Sequence, residues 1–444
     1  MEVPKSLDYA KKSKRCATLR LSKLVPQSGS QSATIGTATS QSVFELPLTV
    51  PAVLSESCLT FTTTFTAAGA SKFNWMFADN CAMIDSIRLV LRNGLELASI
   101  QNVGNYLVPV SRAFMTPEEL GQKPYTTIVS AATRMTENCQ PTNVLGNAAQ
   151  VQAVSGIGQD LQKSNTAMRN LIAGATNAAQ PVIRWKISMD AFKNTLLAYP
   201  KHLLFNDIAN LTITWATRDR VGCFSASATD PSSTPGALAE NVAVSDISFY
   251  LAQDRDREVY EALRQQLNGA GLSIPVDFVY YNKQGLSGTS QNITTRYDRS
   301  NGRRLKYIIH SVFNGTETSN TAYDNYVGDK ITNFYTSVNN ERLQDENVDI
   351  ASFQDGIYQR NVLQGSIAGQ NEYDHHSRWF WVDSFVGDDH PTAMKDFNSE
   401  CGLPLDNPVK WSWTSTTANA SHNHYTYAIV QRLLTIRSNE VILD

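Results

Sequence analysis

Ile84-Asp85-Ser86-Ile87-Arg88-Leu89-Val90-Leu91, running through Asn93-Gly94 into Leu95-Glu96-Leu97, decides the fold class. Its apolar residues recur at short intervals, as in a strand with one buried face, and Asn-Gly is a turn that folds such a strand back on itself. Similar runs follow at Val182-Ile183-Arg184-Trp185, Leu211-Thr212-Ile213-Thr214-Trp215 and Val244 to Leu251. The second half repeats the programme in the same order. Ile331 to Val338 leads to a turn at Asn339-Asn340, then Arg378-Trp379-Phe380-Trp381, Val409-Lys410-Trp411-Ser412-Trp413 and Tyr425 to Ile436. The likeness is one of pattern, not identity, and the first half is the longer, so it carries extra loop. An all-β protein of two tandem domains is the expectation.

The chain has 444 residues, ample for two β-domains with substantial cores. Its net charge of −3 is unevenly spread. Lys5, Lys11, Lys12, Lys14, Arg15, Arg20 and Lys23, against Glu2 and Asp8, give residues 1–23 about +5 and leave an acidic remainder. Such a leader can displace counterions from nucleic-acid phosphates or attract anionic lipid headgroups; a solvated terminus or a targeting signal explains it as readily. Six cysteines are scattered without a close pair, which points to reduced thiols rather than a zinc site or a disulfide scaffold. No apolar run reaches the roughly 18 residues of a membrane span, and the leader lacks the apolar core of a secretory signal. Synthesis and folding in a cytosol-like compartment are expected, so the Asn-x-Ser/Thr matches at Asn210, Asn292, Asn314 and Asn419 carry little weight.

Residues 24–42 are rich in Ser, Thr, Gln and Gly and extend the basic leader into an arm and linker, 1–42. Phe44-Glu45-Leu46-Pro47-Leu48 opens the first domain, 43–253, and Pro47 suits an edge strand because it cannot donate to a ladder. Residues 122–181, dense in Ala, Asn, Gln, Gly and Thr, form a long excursion with a helix expected around Asp160 to Ile172. Such an excursion is a surface tower or contact loop. Asp254 to Asn268 is the clearest helix: Val259, Leu263 and Leu267 share a face, acidic residues crowd its start, and Asn268-Gly269 ends it. It forms the joint, 254–271, before the second domain, 272–444, whose first strand is Ile274-Pro275-Val276-Asp277-Phe278-Val279.

This order, with the helix Val259-Tyr260-Glu261-Ala262-Leu263, Gly271-Leu272-Ser273-Ile274-Pro275, Ile331-Thr332-Asn333-Phe334-Tyr335 and the closing Val430-Gln431-Arg432-Leu433-Leu434-Thr435-Ile436, resembles the double jelly-roll major capsid proteins. That family is shared by adenoviruses, tailless membrane-containing phages, virophages, polinton-type elements and large DNA viruses of algae. The resemblance covers roughly residues 43–444. It implies two eight-stranded antiparallel jelly-roll sandwiches joined by a short helix. It also implies a homotrimer with a pseudo-hexagonal outline, packed as a capsomer in the icosahedral capsid of a double-stranded DNA virus. Partners would be neighbouring capsomers, penton and minor capsid proteins, and the genome or an internal membrane through the N-terminal arm. The protein would be made in the host cytosol and reside in the virion, with no enzyme activity and no cofactor. The leader itself has no counterpart to carry over from the family.

Several short motifs suggest chemistry. His422-Asn423-His424 has the letters of a nuclease motif and Asp374-His375-His376 those of a phosphoesterase, but each needs further ligands on a dedicated scaffold, and polar turn residues account for both. Gly387-Asp388-Asp389-His390 could hold a hard cation, yet it lacks the spaced acids of a calcium loop. Gly156-Ile157-Gly158 has neither the third glycine of a dinucleotide loop nor a P-loop lysine. The seven tryptophans, at 75, 185, 215, 379, 381, 411 and 413, are expected chiefly in the core. Two other function classes compete with a shell protein: a tandem β-sandwich lectin or receptor-binding spike, and a β-sandwich glycoside hydrolase. A hydrolase needs paired carboxylates in a cleft, whereas only 18% of the residues are charged, which favours burial between proteins.

Overall fold

The computed structural model describes residues 19–27, 30–64, 72–75, 83–114, 182–218, 222–225, 235–237, 241–295, 304–314, 332–338, 341–343, 346–349, 380–385, 402–404, 409–419, 422–438 and 440–443. The 122–181 excursion, the Asn339-Asn340 turn and Trp379 lie outside these residues.

The first unit holds β1 (Leu19–Leu24), β2 (Ala33–Ile35), β3 (Gln41–Pro47), β4 (Cys58–Thr64), β5 (Lys72–Trp75), β6 (Ile84–Leu91), β7 (Glu96–Gln101), helix α1 (Val103–Phe114), β8 (Val182–Ser188), β9 (Ile208–Trp215), β10 (Gly222–Ser225), β11 (Pro235–Ala237) and β12 (Val242–Asp254). Helix α2 (Arg257–Asn268) follows. The second unit holds β13 (Leu272–Gly285), β14 (Gly288–Thr295), β15 (Arg304–Asn314), β16 (Asn333–Val338), β17 (Glu341–Arg342), β18 (Val348–Asp349), β19 (Phe380–Ser384), β20 (Leu403–Pro404), β21 (Val409–Asn419), β22 (His422–Arg437) and β23 (Glu440–Leu443).

The two units are wired identically. In the first, the sheets run β1-β12-β4-β8 and β3-β9-β6-β7; in the second, β13-β22-β15-β19 and β14-β21-β16-β17. With the eight main strands of each unit counted along the chain, both give one sheet in the order first, eighth, third, sixth and another in the order second, seventh, fourth, fifth. The pairings along these paths are antiparallel. This is a jelly roll, twice. The runs that correspond in the sequence occupy equal places: Ile84–Leu91 and Asn333–Val338 are both fourth, and Leu211–Trp215 and Val409–Trp413 both fall in the seventh strand.

Alternation explains why these residues make these strands. β9 reads Ile-Ala-Asn-Leu-Thr-Ile-Thr-Trp, and every second side chain, Ala209, Leu211, Ile213 and Trp215, is fully buried. Pro47 ends β3, the outermost strand of its sheet, where its missing N–H costs no ladder bond. Trp185 and Trp215 satisfy their indole N–H groups within the core, donating to Thr63 Oγ1 at 2.6 Å and Ser42 Oγ at 2.9 Å. Within the stretch read as an arm and linker, residues 19–24 and 33–35 form β1 and β2, both paired with β12.

The joint helix begins one turn later than its sequence suggests. Asp254 is the last residue of β12, and Asp256 is the cap, its Oδ1 accepting from the Glu258 amide at 2.9 Å. The Gly269 N–H closes the other end on the carbonyls of Gln265 and Gln266. Helix α1 has no counterpart among the sequence expectations; Val103, Tyr106, Leu107 and Val110 share its buried face.

The second unit turns its first sheet toward the first unit. On β22, Tyr425, Tyr427 and Ile429 join the same continuous core as Leu211 and Trp215, while Ala428 and Val430 pack on Leu305, Ile308 and Val409 inside the second sandwich. The Tyr427 ring lies 5.2 Å from that of Tyr106 on α1, and its hydroxyl donates to the Asn102 carbonyl at 3.2 Å. A strand buried on both faces explains why β22 is almost continuously apolar or aromatic from Tyr425 to Val430.

Candidate functional site

Of the basic residues expected to contact phosphate, Lys5, Lys11, Lys12, Lys14 and Arg15 lie outside the described residues. Arg20 and Lys23 stand on β1, opposite Gln253 and Tyr250 of β12, and both are exposed. Their separation of three positions sends them to opposite faces of the strand, so they do not form one patch. β1 is instead distinguished by apolar exposure. Leu19 and Leu21 are 38% and 53% exposed on the face that also carries Lys23, and Val25, just past the end of the strand, is 47% exposed. Among the described residues β1 is an edge strand of its sheet, and an edge with an apolar stripe is a surface that soluble proteins ordinarily cover.

An open polar groove of about 660 Å³ lies on the outer face of the β3-β9-β6-β7 sheet and reaches Tyr281 of the second unit. It holds Asp85 and Glu96, the pair of acids that a hydrolase reading would seek. Glu96 is engaged by Arg88 at 2.8 Å, so its carboxylate is bound in an ion pair rather than offered to a substrate.

A buried polar network lies inside the second sandwich. His310 on β15, Asp383 on β19, and His424 and Thr426 on β22 project from one face of one sheet toward Trp411 and Phe334 of the other. Strand register brings them together: His310 is opposite Thr426 and Trp381, with His424 and Asp383 diagonal to it. His310 Nε2 lies 3.1 Å from Asp383 Oδ2, His310 Nδ1 lies 3.0 Å from His424 Nε2, and Thr426 Oγ1 is 3.5 Å from His424 Nδ1. Trp381 Nε1 donates to the other Asp383 oxygen at 2.9 Å. The His424 ring stacks on Trp411 at 3.9 Å between centroids. Burial first, and the neighbouring His310 second, hold the His424 imidazole well below its ordinary proton affinity.

His424 therefore corrects the reading of His422-Asn423-His424 as polar turn residues. His422 opens β22 and is half-buried, but His424 is a core residue. The signal was present: His424 and Thr426 share the parity of Ala428 and Val430, which face the core. The Asp383–His310 pair resembles half of a hydrolytic triad, but it ends on a second imidazole beneath an indole. Both rings are 1% exposed, so no substrate can meet them. Asp374, His375, His376 and the Gly387–His390 turn lie outside the described residues, as does Gly156-Ile157-Gly158. Among the described residues, no group of three metal-ligating side chains is spaced to hold an ion, and no helix is long and apolar enough to cross a membrane.

No protein-family model matches the sequence, and no curated protein matches it. Solved structures do. The chain superposes on one from the Sputnik virophage, solved by cryo-EM, with a TM-score of 0.54 at 11% identity, covering 100% of this chain and 92% of that one. The mavirus major capsid protein gives 0.51 at 10% identity, covering 100% and 95%, and the Faustovirus major capsid protein 0.51 at 7%, covering 97% and 92%. The architecture is thus the double jelly roll. Two of the particular proteins that share it nearly end to end, those of mavirus and Faustovirus, are major capsid proteins.

Proposed function

We propose that the protein is a viral major capsid protein that assembles as a homotrimer and tiles an icosahedral shell around a double-stranded DNA genome. The observation that carries this reading is the pair of identically wired jelly rolls packed side by side through the β13-β22-β15-β19 sheet. The full-length match to capsid chains supports it, and no observation favours a lectin, a spike or a glycoside hydrolase. The role is structural, and no catalytic step is assigned. The apolar rim of β1 is the surface we assign to contact between copies, since Leu19, Leu21 and the adjoining Val25 are exposed aliphatic side chains that gain from burial.

The basic leader ahead of β1, through Lys5, Lys11, Lys12, Lys14 and Arg15, faces the particle interior in this reading and meets phosphate of the genome or of lipid, whereas Arg20 and Lys23, on opposite faces of β1, stand apart from it. Sedimentation velocity and negative-stain imaging of the purified protein test the main claim. Trimers with a pseudo-hexagonal outline, or shell fragments, are the expected result; a stable monomer at micromolar concentration contradicts it. Deleting residues 1–18 leaves β1 intact and tests the leader alone: particles should form but package poorly, and full packaging by the truncated protein removes the phosphate role.

A further inference from the structure

We propose that the His310–His424 pair is an acid-sensitive latch between the two sheets of the second jelly roll, able to store one proton and forced open by a second. Hydrogen-bond partners fix where the protons sit. Asp383 accepts from Trp381 on one oxygen, and its other oxygen faces His310 Nε2, so His310 carries a proton there. His310 Nδ1 is then an acceptor, and the proton between the rings belongs to His424 Nε2. His424 Nδ1 is left to accept from the Thr426 hydroxyl. Every nitrogen has a partner with both imidazoles neutral.

One added proton keeps the chain satisfied. The inter-ring proton moves to His310 Nδ1, the new one sits on His424 Nδ1 and points at Thr426 Oγ1, and the imidazolium on His310 is balanced by Asp383. A second added proton has no such place. His310 Nδ1–H and His424 Nε2–H would then face each other across 3.0 Å, with two positive rings that are each 1% exposed. The elements around the pair offer little relief. Among the described residues, β21 presents Trp411, β16 presents Phe334 and Thr336, β15 adds Val312, and β19 adds Trp381 and one carboxylate, Asp383. His422, two residues along the same face of β22, adds a third imidazole at the strand's start. The second proton can enter only if the sheets part beside Trp411.

Linkage sets the direction of the pH effect. In the unfolded chain His424 takes up a proton near the ordinary value of 6.5, whereas in the folded chain burial and the neighbouring His310 hold it well below that. Stability is therefore complete above about pH 6.5 and falls as the pH drops, the unfolding constant rising about tenfold per pH unit for one refused proton. The effect is separable from general acid unfolding because carboxylates titrate lower, near about pH 4.

The experiment is denaturant unfolding of the full-length protein between about pH 7.5 and about pH 5, alongside His424→Gln and His202→Gln. The amide introduced by His424→Gln can donate to or accept from His310 but cannot take the second proton, so H424Q should lose the tenfold-per-unit slope. H202Q removes a half-exposed imidazole paired with Asp254 and should keep it. Without denaturant, Trp411 emission, read as the difference between the wild type and Trp411→Phe, should shift to the red over the same range as its stacked partner leaves. That second measurement stands even if H424Q does not fold. A wild-type slope that H424Q retains, or Trp411 emission that stays unchanged to about pH 5, overturns the proposal.

Discussion

Lys306 and Asp277 form a buried ion pair that is costly to disturb singly. The ammonium lies 2.9 and 3.1 Å from the two carboxylate oxygens, and the side chains are 3% and 5% exposed. They sit on β15 and β13, on either side of β22, so the pair clamps three strands of the second-unit sheet that faces the first unit. Removing one partner strands the other charge in the core, and Lys306→Met should cost about 3–5 kcal/mol in denaturant unfolding. The double change Asp277→Leu with Lys306→Met should recover most of that loss, because neither charge is then buried. A double variant as unstable as the single one would show that packing, not an unpaired charge, dominates. Partners of this kind were not legible in the sequence. His310 lies 114 residues from His424 and 73 from Asp383, and only the strand register brings them together. Burial of Trp185, Trp215, Trp411 and Trp413 was legible, because each closes or punctuates an alternating run.

At the scale of elements, legibility tracked periodicity. α2 announces itself through its acidic start, its apolar stripe and its terminal Asn-Gly; only its start was misplaced, by three residues, because Asp254 ends β12 and Asp256 acts as a cap rather than as helix. Asp256→Ala removes the bond to the Glu258 amide and should lower stability by about 1 kcal/mol, with Asp256→Ser nearly neutral. A loss far larger than this, measured by the shift in denaturation midpoint, would mean that Asp256 does more than cap. α1 was invisible for a physical reason. Gly104 and Pro109 are both poor in helix interiors, so local preference opposes the helix that Tyr106, Leu107 and Val110 hold by tertiary burial. Short strands such as β17 and β18, two residues each, carry no period to detect; they exist because β16 offers an edge.

Across the whole molecule, the tandem order was legible because both units spend their alternation on the same wiring. The contact between them was not, since a sequence cannot say which face of β22 meets which neighbour. That contact makes the units interdependent. One apolar core runs from Leu211 and Trp215 through Tyr106 to Tyr427, Ile429 and Ile436, and the Leu267 carbonyl of α2 accepts from the Ser438 amide of the second unit. Separating the units would expose this aromatic seam, so neither sandwich has a complete surface alone. Calorimetry of the intact protein should therefore show one transition for both jelly rolls. The seam, rather than the covalent joint, is expected to hold the pair. A protease site inserted after Gly269, where the chain leaves α2, should yield two fragments that co-elute after cleavage, because burial across the seam outlasts the loss of one peptide bond. Two resolved thermal transitions, or fragments that part on cleavage in mild buffer, would show instead that the sandwiches fold as independent beads joined by a helix.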